Sequence, residues 1–163
     1  PVLASFLRAA IAAIEARTGK ALISRLFTMT VQEWADPQAQ ALPVGPVRQI
    51  VSVAVVSRDA METVIEPQRY WLVRDMQAPL LKPSGAMLPF IPPQGSVQVV
   101  FEAGLGESWD AVPADLQQAV LMLAAHYYEY RHETRLGDGC MPFGVSSLIE
   151  RYRPLRIGLG ARA

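Results

Sequence analysis

The side chains best suited to chemistry in this sequence are His126, Glu129, His132 and Glu133, close together near the C-terminal end. His126 and Glu129 are three apart, which places two metal ligands on one helix face. A helical di-metal site needs a matching Glu-x-x-His on a second helix, and no other segment offers one. A polar rim along a helix is the simpler outcome, so no metal and no other cofactor is expected. Gly104-Leu105-Gly106 stands after a strand-like run and before a helix-like one, the usual place for a phosphate loop. It lacks the third glycine and the Lys-Ser/Thr pair, and Glu107 and Asp110 would repel phosphate. A connector is expected there. Cys140 is the single cysteine and lies in a Gly-rich turn with no base near it in sequence. Neither a disulfide, a multi-cysteine zinc site nor an activated thiol is expected. There is no Gly-x-Ser-x-Gly elbow and no defensible Ser-His-Asp set. No catalytic residue is named, and no enzymatic activity is expected.

Binding chemistry gathers at the C-terminus instead. After Glu150 there is no acid, while Arg151, Arg153, Arg156 and Arg162 interleave with Tyr152, Pro154, Leu155 and Ile157. Such a tail can be solvated, can touch phosphates, or can dock into a protein, with apolar anchors and arginines paired to acids. Pro154, Leu155 and Ile157 favour docking. The chain as a whole carries 15 Lys plus Arg against 15 Asp plus Glu, so nothing draws it bodily to a polyanion. A DNA-binding accessory role remains the rival reading; it requires tight, salt-sensitive binding to free duplex. The 163 residues are 51% hydrophobic and only 18% charged. Such a surface has contact area to hide, as an assembly subunit does. No run reaches the ~20 apolar residues of a membrane span. Pro1 to Ala13 lacks the basic start and cleavage site of a signal peptide, and reads as an amphipathic helix.

The elements that must position this tail follow from periodicity. Leu3, Leu7, Ala10 and Ile14 recur at spacings of four, three and four, with Phe6 and Ile11 widening the stripe. They predict a helix over 2–18, stopped at Thr18-Gly19. Phe27, Met29 and Val31 alternate with Thr28, Thr30 and Gln32 in a strand spanning 23–34. Asp36-Pro37 and Leu42-Pro43-Val44-Gly45-Pro46 read as a loop. Further strands are expected over 47–57, 61–66, 69–73 and 97–103, with the proline-rich stretch 79–93 irregular or edge-like. Pro113 and Asp115 open a long helix carrying Leu116, Val120, Leu123, Tyr127 and Tyr130, running to about Thr134. A short helix over 145–151 precedes Pro154. The fold class is α+β: a helical body made by 2–18 and 112–153, with an inserted antiparallel β-rich region at 22–104 and a tail at 154–163. Leu7, Ile14, Leu116, Val120 and Leu123 are the expected core of the helical body, the two long helices packing on each other.

Several of these segments, in order, resemble one family. The run Ala9–Ala21, AAIAAIEARTGKA, is similar to the first-helix signature of phage head–tail connector proteins. Leu42-Pro43 and Pro46-Val47 leading into Ile50-Val51-Ser52-Val53 resemble its loop-to-strand step. Val99 through Gly106 is similar to its strand ending in Ala-Gly-aromatic-Gly, with Leu105 where an aromatic is usual. Val112-Pro113, Leu116, Ala125 through Glu129 and Arg131 resemble its best-marked helix, and Gly144-Val145, Leu148 and Tyr152-Arg153 its closing motif. The resemblance implies that residues 1–163 form a single adaptor domain of a tailed phage or gene-transfer-agent particle. It implies a structural subunit at the head–tail interface, assembled in the bacterial cytoplasm as a ring of about twelve copies below the portal protein. Its other partners would be a tail-side stopper or terminator protein and the DNA passing through the channel without sequence specificity. No membrane is involved. The resemblance also implies portal docking by the C-terminal segment, through Arg151, Tyr152, Arg153, Leu155, Arg156 and Ile157.

Overall fold

In the computed structural model, residues 1–132 and 141–154 are described. The chain divides into two compact units, one made by Pro1–Gly19 with the described part of Ala114–Ala163, the other by Lys20–Pro113. The chain thus crosses between units twice, at Gly19/Lys20 and Pro113/Ala114, a slightly wider insertion than the expected 22–104.

The first unit is helical. Helix α1 spans Val2–Thr18 and ends as its stripe predicts, with Gly19 in the left-handed conformation at φ 65°. The Gly19 N–H donates to the Glu15 carbonyl at 2.9 Å, closing the last turn. Thr18 is buried and satisfies its hydroxyl by donating to the Ile14 carbonyl at 2.8 Å. Helix α2, Ala114–Glu129, buries Leu116, Ala119, Val120, Leu123 and Ala124, an i, i+3, i+4 pattern. It packs on α1 and on α3, Phe143–Ile149, which turns into a single 3₁₀ turn at Glu150–Tyr152. This last helix starts two residues before the expected 145. Ile14, Leu116, Val120 and Leu123 are fully buried. Leu7 departs from its expected core place: it remains 37% exposed. It lies toward the open end of the α1–α2 contact, where the stripe meets a groove rather than a closed interior.

The second unit holds two antiparallel sheets. In the larger, of order β1-β7-β3-β4, strand β7 (Ser96–Ala103) lies between β1 (Arg25–Val31) and β3 (Val47–Val56), with β4 (Glu62–Val64) at the edge. Period-2 alternation assigns the faces. Val97, Val99, Phe101 and Ala103 of β7 are all buried, and Phe27 and Met29 sit opposite Phe101 and Val99. The Phe27 and Phe101 rings stack at 5.6 Å between centroids. The register of β3 against β7 shifts between Ile50 and Ser52, a bulge that leaves Val51 exposed.

The smaller sheet corrects one expectation. Its order is β2-β6-β5, with β2 Gln40–Ala41, β5 Tyr70–Val73 and β6 Leu80–Pro83. The short β2 lies between the two segments read as loop, and the proline-rich stretch, expected to be irregular or edge-like, supplies the central strand. Pro79 precedes β6 and Pro83 is its last residue, so the prolines bracket the residues between them that can still donate to both neighbours. Leu81, fully buried, pairs with Leu72 on one side and Gln40 on the other. Side chains from both sheets, including Tyr70 and Leu81 of the smaller and Val53, Val97 and Phe101 of the larger, join Leu42 and Leu88 from the connecting segments in one apolar cluster.

Candidate functional site

The root of the C-terminal tail is held by a three-residue polar latch. Asp115 stands in the first turn of α2, where its carboxylate accepts from the Leu116 N–H at 2.9 Å. Tyr152 is buried, and its phenol donates to Asp115 Oδ1 at 2.8 Å. Arg151 donates from Nη2 to the Tyr152 hydroxyl at 2.6 Å and reaches Asp115 Oδ2 at 2.7 Å. Its guanidinium also lies 4.8 Å from the centre of the Tyr152 ring. The phenol thus donates one hydrogen bond and accepts another, which is what allows its burial. Burial pushes the Tyr152 phenol above its ordinary value, and the Asp115 carboxylate that it donates to pushes the same way. The hydrogen bond to Tyr152, helped by Asp115, holds Arg151 more firmly in its charged form.

The latch separates the expected docking residues by place. Arg151 and Arg153 are exposed, with Arg153 paired to Glu150 at 3.2 Å. Tyr152 turns inward as an anchor and is not at the surface. Leu155, Arg156 and Ile157 lie outside the described residues, as do Cys140 and Glu133. Asp115 was legible only as a carboxylate at a helix N-terminus; its link to Tyr152, 37 positions away, has no local signal.

Two other features change their meaning in three dimensions. His126 lies 4.7 Å from the Tyr130 ring, a packing environment for an imidazole. Among the described residues no group of three or more His, Cys, Asp or Glu side chains is placed to hold a metal. At Gly104-Leu105-Gly106, the three N–H groups donate to the carbonyls of Pro46, Ala21 and Leu22. Those donors are spent inside the fold and cannot cradle a phosphate. A Cβ on Gly104 would collide with the Ser24 backbone, so the glycine serves close packing. Nearby, Glu102 accepts from Ser24 at 2.7 Å and from Gln49 at 2.8 Å. These two bonds, Ser24 first, draw its carboxyl below the ordinary range.

An apolar groove of about 310 Å³ opens between α1 and α2, lined by Leu3, Phe6, Leu7, Ala124, Ala125 and Tyr128. Phe6 meets Tyr128 edge-on at 6.1 Å, and the Arg131 guanidinium lies over the Tyr128 ring, 4.3 Å from its centre. The stripe on α1 gave no sign that its N-terminal part would line an open groove. At the start of α3, Phe143 is 88% exposed. No helix among the described residues is long and apolar enough to cross a membrane. The helical unit thus carries a pinned tail root, an apolar groove and an uncovered aromatic.

No family model and no curated protein matches the chain. Solved structures do. A chain in the neck of a native gene transfer agent particle, computed with C12 symmetry, shares 49% identity over 97% of this chain and 85% of its own, with a TM-score of 0.87. A chain in the neck of an empty particle, computed with C6 symmetry, shares 49% identity over 97% of this chain and 80% of its own, at a TM-score of 0.87. A chain in the virion of the native particle matches at 49% identity over 97% and 79%, with a TM-score of 0.86. Identity of this level over nearly the whole length, with the same fold, means that the chain belongs to the head–tail connector (adaptor) family of tailed phages and gene-transfer-agent particles.

Proposed function

We propose that this connector subunit, which joins head to tail at the neck of a phage-like particle, assembles as a ring of about twelve copies below the portal. The ring continues the DNA channel and presents its far side to a stopper or terminator protein of the tail. The observation that carries this reading is the match to neck chains in particles computed with C12 and C6 symmetry. The reading requires binding without catalysis. It needs no sequence-specific grip on DNA, and the zero net charge suits a channel wall that lets duplex slide past.

The C-terminal segment makes the portal contact in this proposal. Arg151 and Arg153 supply surface charge at its root, and Leu155, Arg156 and Ile157 supply the anchors and charge beyond. Tyr152 acts differently from its neighbours: it fixes where the segment leaves the helical unit. A truncation that tests docking should therefore cut after Pro154 and keep the latch. Native mass spectrometry of the full chain with its portal is expected to show about twelve added copies. Removing residues 155–163 is expected to abolish binding with an unchanged circular dichroism spectrum; undiminished binding by that variant sinks the docking assignment.

A further inference from the structure

We infer that neighbouring copies join head to tail by seating Phe143 of one copy in the α1–α2 groove of the next. This rests on the ring reading above and assigns its subunit contact. The six groove residues carry no charge. Phe143 begins α3 and is 88% exposed, so it does not fill the groove of its own chain. Both features belong to the helical unit, in which α2 contacts α1 and α3. The next residue, Gly144, approaches Met122: a Cβ there would lie 2.9 Å from the Met122 methyl. Met122 and Tyr128 are six positions apart on α2, roughly 120° around its axis at 3.6 residues per turn. Groove and aromatic therefore face different ways.

A cyclic ring needs this arrangement. Each subunit must offer two different patches, each complementary to the other, whereas a two-fold dimer needs one patch that matches itself. Here one chain carries an unfilled apolar groove and, on another side, an uncovered aromatic side chain. A head-to-tail contact covers both in every copy and leaves neither exposed once the ring closes. A buried aromatic withdraws about 150–250 Å² from water, and a groove of about 310 Å³ has room for a phenyl ring.

The test counts copies per portal by native mass spectrometry across protein concentration, using the full chain. Leu3 and Phe143 are both largely exposed, so F143K and L3E should fold; unchanged thermal midpoints check this. Each single variant is expected to need about thirtyfold more protein to fill the ring, the loss usual for a central interface anchor. The double variant F143K/L3E, which places a Lys opposite a Glu in every contact, is expected to recover much of that loss. Filling by F143K at wild-type concentration overturns the inference and leaves the connector reading standing. Loss in L3E alone, or in F90K in place of F143K, gives the groove another occupant and also overturns it. A wild-type chain that never binds the portal overturns the docking proposal and this contact with it.

Discussion

In the helical unit, residues three and four apart turn Ile14, Leu116, Val120 and Leu123 inward, while the tail root is fastened by side-chain hydrogen bonds among Asp115, Arg151 and Tyr152. In the β unit, alternation turns Val97, Val99 and Phe101 inward, and backbone ladders on both sides of β7 do the fastening. The difference shows in what each leaves outside. The β unit exposes apolar side chains both on its strands, at Leu26, Val51, Val64 and Trp71, and between them, at Met61, Met87 and Phe90. The helical unit exposes a continuous groove and an aromatic at a helix start. Strand pairing satisfies the backbone of the sheets from within, whereas the three helices leave between α1 and α2 an apolar groove that a partner can fill.

Core truncations probe this contrast most strongly. F101A removes a stacked ring from the middle strand and is expected to cost about 3–5 kcal/mol, and L123A about 2–5 kcal/mol, in urea denaturation. A cost under about 1 kcal/mol for either would mean that the neighbouring side chains collapse into the space, and that fully buried position would not anchor its unit. The latch comes next. Y152F keeps the ring and removes the donor to Asp115, so a loss of about 1–2 kcal/mol is expected. Because the Tyr152 phenol is raised above its ordinary 10.0, its contribution is whole below pH 10.0 and disappears as pH climbs through the folded value. Y152F should flatten that alkaline decline; an unchanged decline would place its origin elsewhere.

Acid probes the β unit. Glu102 is drawn below its ordinary 4.5, so its contribution is present above pH 4.5 and is lost as pH falls through the folded value. E102Q should remove part of the acid slope in thermal midpoints and leave the alkaline limb untouched. The smallest effect belongs to R153A, whose pair with Glu150 is solvent-exposed. It is expected to change stability by less than about 0.5 kcal/mol, yet to weaken portal binding; equal binding would remove Arg153 from the docking set.

Much of this architecture is local and was therefore readable. The α1 stripe and Gly19 fix both ends of that helix, since amphipathic period and a left-handed stop are properties of neighbouring residues. The strand expected over 97–103 likewise falls on β7, and Pro113 and Asp115 mark the start of α2. The family resemblance was also legible, because the order of such segments survives in the sequence. The β6 strand is not legible, because proline content argues against a strand; Pro79 precedes it and Pro83 is its last residue, so its interior is free of proline. Leu7 was misplaced because periodicity tells which face a residue occupies, not whether another element reaches far enough to cover it. Neither the composition of the tail nor the family resemblance tells an inward Tyr152 from an outward Arg151. The sequence by itself determined the helices, most strands and the polar character of the tail, all set by spacing along the chain. Tertiary structure decided that Asp115 would meet Tyr152 and that α1 and α2 would leave a groove. Those outcomes depend on which distant surfaces meet and how much of each they cover.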